Sequence, residues 1–325
     1  LCVGILLIPM CLGLYQQFGT EGLEFYFWTQ SFGRITGDSS WQNDTTPLYF
    51  FHVFAWSYLP WVLLAVAALL TELRNFRANL KKDHSEFYLI SGIVLVWAAL
   101  SMSRFKLPHY IFVVYPLIAI LAAKYVNQLQ KFTIWAWVQL VISTLAVLVL
   151  AALLLISFPE GGWMIPLALF AFLAVAFAYF FMSYRSSQVV VPSFIMSIAI
   201  GVGLNAHFYP ELLTYQANAQ VGKWRVEHNT PEDKLLGFST GGRSLDFYNG
   251  GIVAWLDDVE AAGKAIEPGI VIYASQDRYN ELKKHGLQPE RELVFNNFEV
   301  QRLSVGFLNP KTRENFLNKR YLLFY

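Results

Sequence analysis

Apolar residues run in long blocks broken by short polar turns up to about residue 206, after which the pattern changes to short alternating runs. A helix rises about 1.5 Å per residue, so crossing a bilayer takes roughly 20 mostly apolar residues. Seven segments meet or approach that length: 1–18, 48–70, 87–103, 110–126, 133–157, 163–183 and 189–206. The pattern predicts a polytopic α-helical membrane protein of about seven transmembrane helices, followed by a small α/β extracytoplasmic domain. Residues 1–206 make the first domain and 207–325 the second. The first block has no initiator Met, basic leader or small-residue cleavage site, and so reads as starting within a protein rather than as a signal peptide.

In the second domain the periods are shorter. "LLGFST" (235–240) and "GIVIYAS" (269–275) are apolar runs ending in turn residues, as strands are. "WLDDVEAAGKA" (255–265) and "QDRYNELKKHG" (276–286) carry helical charge spacing, with Gly286 as a helix stop. "ELVFNNFEVQRLSV" (292–305) reads as two strands about a turn.

Composition sharpens the division. The chain is 55% hydrophobic and only 14% charged, which separates it from soluble proteins of its 325-residue length. Residues 1–206 hold 10 Lys/Arg and 8 Asp/Glu, whereas the shorter 207–325 holds 14 and 15. A net charge of +1 argues against nucleic acid as a partner. Cys2 and Cys11 both sit in the first apolar block, so no disulfide framework supports the polar domain.

Loop charges orient the helices. Arg74, Arg77, Lys81, Lys82, Lys124, Lys131 and Arg185 fall on one side, against Arg34, Arg104 and Lys106 on the other. The cation-rich side is cytoplasmic by the positive-inside rule. Residues 19–47, the 103–109 turn, 158–162 and everything after 207 then face outward.

Two outward segments carry the candidate chemistry. Residues 19–47 combine Phe25, Tyr26, Phe27, Trp28 and Phe32 with four acids and Arg34. Such a segment lies in the membrane interface, either as an aromatic belt or as a site. A guanidinium at headgroup depth suits a phosphate, because its planar fork binds two oxygens at once. In the turn "SRFKLPH" (103–109), Pro108 makes its predecessor extended and can open the next helix, holding Arg104 and Lys106 at the outer rim. There the two cations either snorkel to lipid headgroups or bind an anion. His109 has no partner at metal-ligand spacing. "STGGRS" (239–244) lacks the Lys-Ser/Thr ending of a P-loop and reads first as a turn closing a strand. "NDT" (43–45) matches a glycosylation acceptor, a common chance match.

These two segments also carry a resemblance. "FYFWTQSFGRITG" followed by "PLYFFHVFAWSYLPW", and the Ser-x-x-Lys-Leu-Pro-x-Tyr pattern of "SRFKLPHYIFVVYPL", are similar to the GT-C membrane glycosyltransferases of the aminoarabinose transferase and protein O-mannosyltransferase group. The resemblance covers the helical domain and reaches the tail only by position. It implies an enzyme of the bacterial inner membrane, with its polar domain in the periplasm. Such an enzyme moves a sugar from a polyprenyl-phosphate donor to a periplasmic acceptor: lipid A, a glycan or a protein.

On that likeness Arg34 grips the carrier phosphate, with Lys106 and Arg104 beside it, while Tyr110 and Trp28 line the sugar cavity. The family's catalytic acid lies in an early outward loop that nothing here matches. The chain therefore reads as a fragment lacking that acid and inactive alone, with Asp38 and Asp44 as substitutes were it complete. No cofactor is implied, and metal assistance stays open. Besides donor and acceptor, membrane lipids are the implied partners. The rival reading is a non-enzymatic transporter or a scaffold displaying the tail. Span interiors without Asp, Glu, Lys or Arg weigh against a transporter, while Pro60, Pro116 and Pro166 keep it open.

Overall fold

The computed structural model describes residues 2–36, 45–79, 85–129, 132–300 and 302–325. Asp38, Asp44, Lys81, Lys82, Lys131 and most of the NDT triplet lie outside the described residues.

Helix α1 (Cys2–Glu24) breaks at Gly19, whose φ of 64° and ψ of −149° fall where a residue without Cβ is favoured. One arm therefore ends where the first predicted span ends. The other continues through a π-helical stretch, Phe25–Phe32, into α2 (Gly33–Thr36).

Residues 48–70, expected as one span, form two helices: α3 (Tyr49–Ser57) and α4 (Val62–Asn79). Pro60, which has no N–H to continue a helix, sits in the turn between them after a cis Leu59–Pro60 bond. Helix α5 (Ser85–Met102) leads through a 3-10 turn, Pro108–Val114, into α6 (Tyr115–Gln128). Then follow α7 (Phe132–Ser157), α8 (Met164–Met182) and α9 (Ser186–Gly203), the last running through a π turn into α10 (Tyr209–Leu213).

Five helical runs among the described residues are long and apolar enough to cross a membrane: Val3–Ser31, Pro108–Gln128, Phe132–Ser157, Met164–Met182 and Ser186–Leu213. Phe87–Met102 is a shorter apolar helix. The chain is a polytopic helical membrane protein carrying a small sheet. It divides into two compact units, 1–146 with 175–197, and 147–174 with 198–325.

In the first unit α3, α4, α5 and α6 share a core of Phe50, Phe54, Ile93, Ile111, Ile118 and Leu121. Ala65 and Ala68, fully buried on α4, allow close helix approach, as small residues do in membranes. The Glu72 carboxylate on α4 meets Lys124 Nζ on α6 at 2.8 Å. Loop-charge counting treats Lys124 as one of the cytoplasmic cations and does not anticipate this ion pair.

The second unit holds α11 (Ala217–Glu227), β1 (Leu235–Phe238), α12 (Arg243–Asn249), β2 (Ala254–Leu256), α13 (Val259–Ala265), β3 (Val271–Ser275), α14 (Gln276–Lys284), β4 (Arg291–Asn297), α15 (Val305–Leu308) and β5 (Asn318–Phe324). The sheet order is β2-β1-β3-β5-β4, with the first three strands parallel and β5 antiparallel to both neighbours. One face packs Phe238, Ile272 and Leu323 against Ala262 of α13 and Leu282 of α14. The other packs Leu235, Val271 and Leu322 against Val221 of α11 and Leu245 of α12.

Gly286 carries φ 79° just after α14, as a helix stop should. Residues 292–305 do not make a hairpin. β4 pairs instead with the chain-terminal β5, and Phe298 leaves the strand to stack on Phe307 at 3.7 Å while its N–H donates to Tyr215 O at 2.8 Å.

Arg313 is 7% exposed and lies among the rings of Phe158, Tyr215 and Phe307. It donates to Phe307 O at 3.0 Å, to Tyr215 Oη at 2.9 Å and to Ser157 O. Ser157 is the last residue of α7, where the helix dipole favours a cation. Arg313 thus ties the sheet-bearing tail to α7 within one unit. Arg313→Met should cost about 2–3 kcal/mol through stranded acceptors, read as a lower thermal midpoint and faster tryptic release of the tail. An unchanged midpoint and cleavage rate would show that the tie is not stabilising.

Candidate functional site

Three hydrogen bonds shape the turn after α5. Ser103 N–H donates to Leu100 O at 3.2 Å, Ser103 Oγ to Phe105 O at 2.9 Å, and Phe105 N–H to Ser103 Oγ at 3.4 Å. This closes the helix end locally, in the manner of serine turns. Leu107 is extended (φ −119°, ψ 146°) ahead of Pro108, which opens the 3-10 turn as its ring geometry requires.

The same turn separates its two cations. Arg104 is exposed, whereas Lys106 is 4% exposed and its Nζ donates to Thr45 O at 3.2 Å. Burial pushes the Lys106 ammonium below the usual 10.5. Tyr110, half-buried on the following 3-10 turn, packs against the α3–α6 core, with the His109 ring edge-on at 4.9 Å.

Beside this turn lies an apolar groove of about 670 Å³ among α3, α4 and α5, lined by Pro47, Leu48, Phe51, Phe54, Trp97 and Ser101 with other aliphatic residues. Trp97 stacks obliquely on Phe51 at 5.1 Å and meets Phe54 edge-on at 5.4 Å. Two buried polar atoms of the groove's lining residues, Trp97 Nε1 and Ser101 Oγ, have no hydrogen-bond partner among the described residues. Of the groove's lining residues, Ser101 stands two residues before the Ser103 turn and Pro47 two after Thr45, the residue whose carbonyl accepts from Lys106.

Trp28 lies half-exposed on the π-helical stretch, with its carbonyl accepting from Gly33 N–H. Arg34 follows in α2, where its backbone is helical. The structure therefore places Lys106 and Tyr110 on adjoining turns after α5 and puts Trp28 and Arg34 on the helical arm beyond Gly19. Motif reading had no signal for the groove or for Thr45. The groove comes from three helices converging, and Thr45 contributes only a backbone carbonyl. No group of three or more potential metal ligands occurs among the described residues.

No protein-family model matches the chain. Over 104 residues, 32% of the chain, it is 31% identical to the undecaprenyl phosphate-alpha-4-amino-4-deoxy-L-arabinose arabinosyl transferase 1 of Pseudomonas fluorescens, of which it covers 18%. Its fold is similar to that of ArnT from Cupriavidus metallidurans solved bound to undecaprenyl phosphate, with a TM-score of 0.58 and 18% identity over 97% of the chain and 58% of that protein. In the apo state the same protein gives a TM-score of 0.63 and 20% identity over 85% of the chain and 54% of that structure. The chain thus spans less than two thirds of the length of these relatives. The resemblance to the aminoarabinose transferases stands at the level of fold, and the transporter or scaffold alternative is not favoured.

Lys106 also makes a prediction about stability. Its folded-state pKa lies below that of the unfolded chain, so between the lowered value and 10.5 the unfolded state binds more protons and stability rises with pH. Lys106→Met should abolish that rise and leave the neutral-pH melting point unchanged or higher. A lower melting point would make Lys106 a stabilising residue.

Proposed function

We propose that this chain is part of a GT-C glycosyltransferase of the bacterial inner membrane that moves a sugar from polyprenyl phosphate to a periplasmic acceptor. The observation that carries it is a buried lysine in the turn that follows α5, the helix whose Trp97 and Ser101 line an apolar groove, in a fold similar to a transferase solved with undecaprenyl phosphate. The isoprenoid chain occupies the groove, where apolar burial is worth about 25 cal/mol per Å² in water-based terms. The phosphate sits at Lys106 and Arg34, with Arg104 at headgroup level. Tyr110 and Trp28 bound the sugar. Seven spans, division of the chain at residue 206 and a periplasmic α/β domain complete the arrangement.

In the reaction the acceptor oxygen bonds to the anomeric carbon as the bond from that carbon to the phosphate oxygen breaks. The electron pair leaves on the lipid phosphate, and Lys106 and Arg34 stabilise the growing charge. The acceptor proton passes to a carboxylate that this chain does not supply by motif. Burial lowers the Lys106 pKa, and a phosphate brought beside the ammonium would favour its charged form.

Arg34→Ala and Lys106→Ala in the full-length enzyme should each lower transfer about 100-fold or more, equivalent to about 2.7 kcal/mol. Wild-type rates in both would remove the assignment. Loss of the Lys106 proton should weaken binding of the lipid phosphate as pH rises, and the alkaline loss should vanish in Lys106→Ala. A pH profile identical in the two proteins would show that the lysine is not the titrating contact.

A further inference from the structure

The sheet of the second unit has a topological switch point that the transfer reaction leaves unused. From β1 the chain crosses through α12 on one face to β2, then returns through α13 on the opposite face to β3 on the far side of β1. The direction of winding therefore reverses between β1 and β3. In open α/β sheets, ligands collect just beyond the carboxyl ends of such a pair of strands.

The residues at that edge suit an anion. After β1 come Ser239, Thr240, Gly241, Gly242 and Arg243, with φ values of 49°, 154° and 139° at Ser239, Gly241 and Gly242. The Gly241 and Gly242 N–H groups have no acceptor among the described residues. Arg320, at the adjoining end of β5, donates from Nη1 to Thr240 Oγ1 at 3.0 Å and faces Tyr273 closely enough to lower that phenol's pKa against the rise caused by burial.

Arg320 is half-buried, yet makes no ion pair among the described residues, and neither does the exposed Arg243. The remaining cation nearby, Arg278, lies over Phe238 on the opposite face and is bound to Glu281. Asn218 donates from Nδ2 to Gly241 O at 2.8 Å and accepts from Tyr273 Oη at 2.7 Å, fixing the loop to the first turn of α11. That turn begins four residues after the membrane-length run ends at Leu213, which keeps the switch point near the membrane.

We propose that this switch point binds a phosphate-class oxyanion through the guanidinium groups of Arg320 and Arg243, Thr240 Oγ1 and the Gly241 and Gly242 N–H groups. The proposal does not depend on glycosyl transfer. The test is calorimetric titration of the full chain in phosphatidylcholine nanodiscs with inorganic phosphate, in an Arg34→Ala/Lys106→Ala background that removes the two cations assigned to the lipid phosphate. Saturable one-site binding should appear, weakened about tenfold by Arg320→Ala and by Arg243→Ala, the loss of one charge-assisted contact. Arg243 is exposed, so its substitution tests the site even if Arg320→Ala disturbs the fold. Absence of saturable binding, or binding equal in the background protein and the Arg243 variant, overturns the proposal. In supporting cases, competition by phosphatidylglycerol nanodiscs identifies a lipid headgroup as the occupant, and its absence a free phosphate.

Discussion

A positive charge kept out of water in the turn after α5 is the constraint from which the rest follows. Lys106 has a backbone carbonyl, Thr45 O, as its hydrogen-bond acceptor, and its lowered pKa reports the cost of that burial. Perturbed ionisable groups of this kind cluster at functional sites, which is the reading taken for Lys106. The Ser103 turn, extended Leu107 and Pro108 hold the lysine in place, and the aromatic floor of Phe51, Phe54 and Trp97 makes the neighbouring surface suitable for hydrocarbon. A ligand with a phosphate head and an apolar tail matches both halves at once.

Much of this was legible because it is local. Block hydropathy marked seven segments, of which 110–126, 133–157, 163–183 and 189–206 fall in membrane-length helical runs and 1–18 in a run that continues to Ser31, and Gly19 and Pro60 fall where the helices break. Ser103-x-x-Lys106-Leu107-Pro108 spells out its own turn. In the tail, strands β1 and β3 and the end of α14 follow from short apolar runs and Gly286. What stayed hidden depends on contacts distant in sequence. The strand partner of β4 lies at the chain end rather than in the next turn, and the Arg313 tie joins residues 156 positions apart. The Glu72–Lys124 pair joins two helices that the pattern treats separately.

The second unit repeats the theme with different chemistry. Arg313 is buried among rings and carbonyls with its donors satisfied, which suits a structural tie. Arg320 and Arg243 stand beside a glycine-rich loop with donor capacity left over, which suits a ligand. Among the described residues, how completely each guanidinium is satisfied separates the two roles better than burial alone does.

The most direct measurement is a cryo-electron microscopy structure of the full-length enzyme with undecaprenyl phosphate. The account predicts a phosphate oxygen within about 4 Å of Lys106 Nζ, ion-pair range, and isoprenoid density between Phe51 and Trp97. Lipid density elsewhere, with Lys106 still held on Thr45, would contradict it.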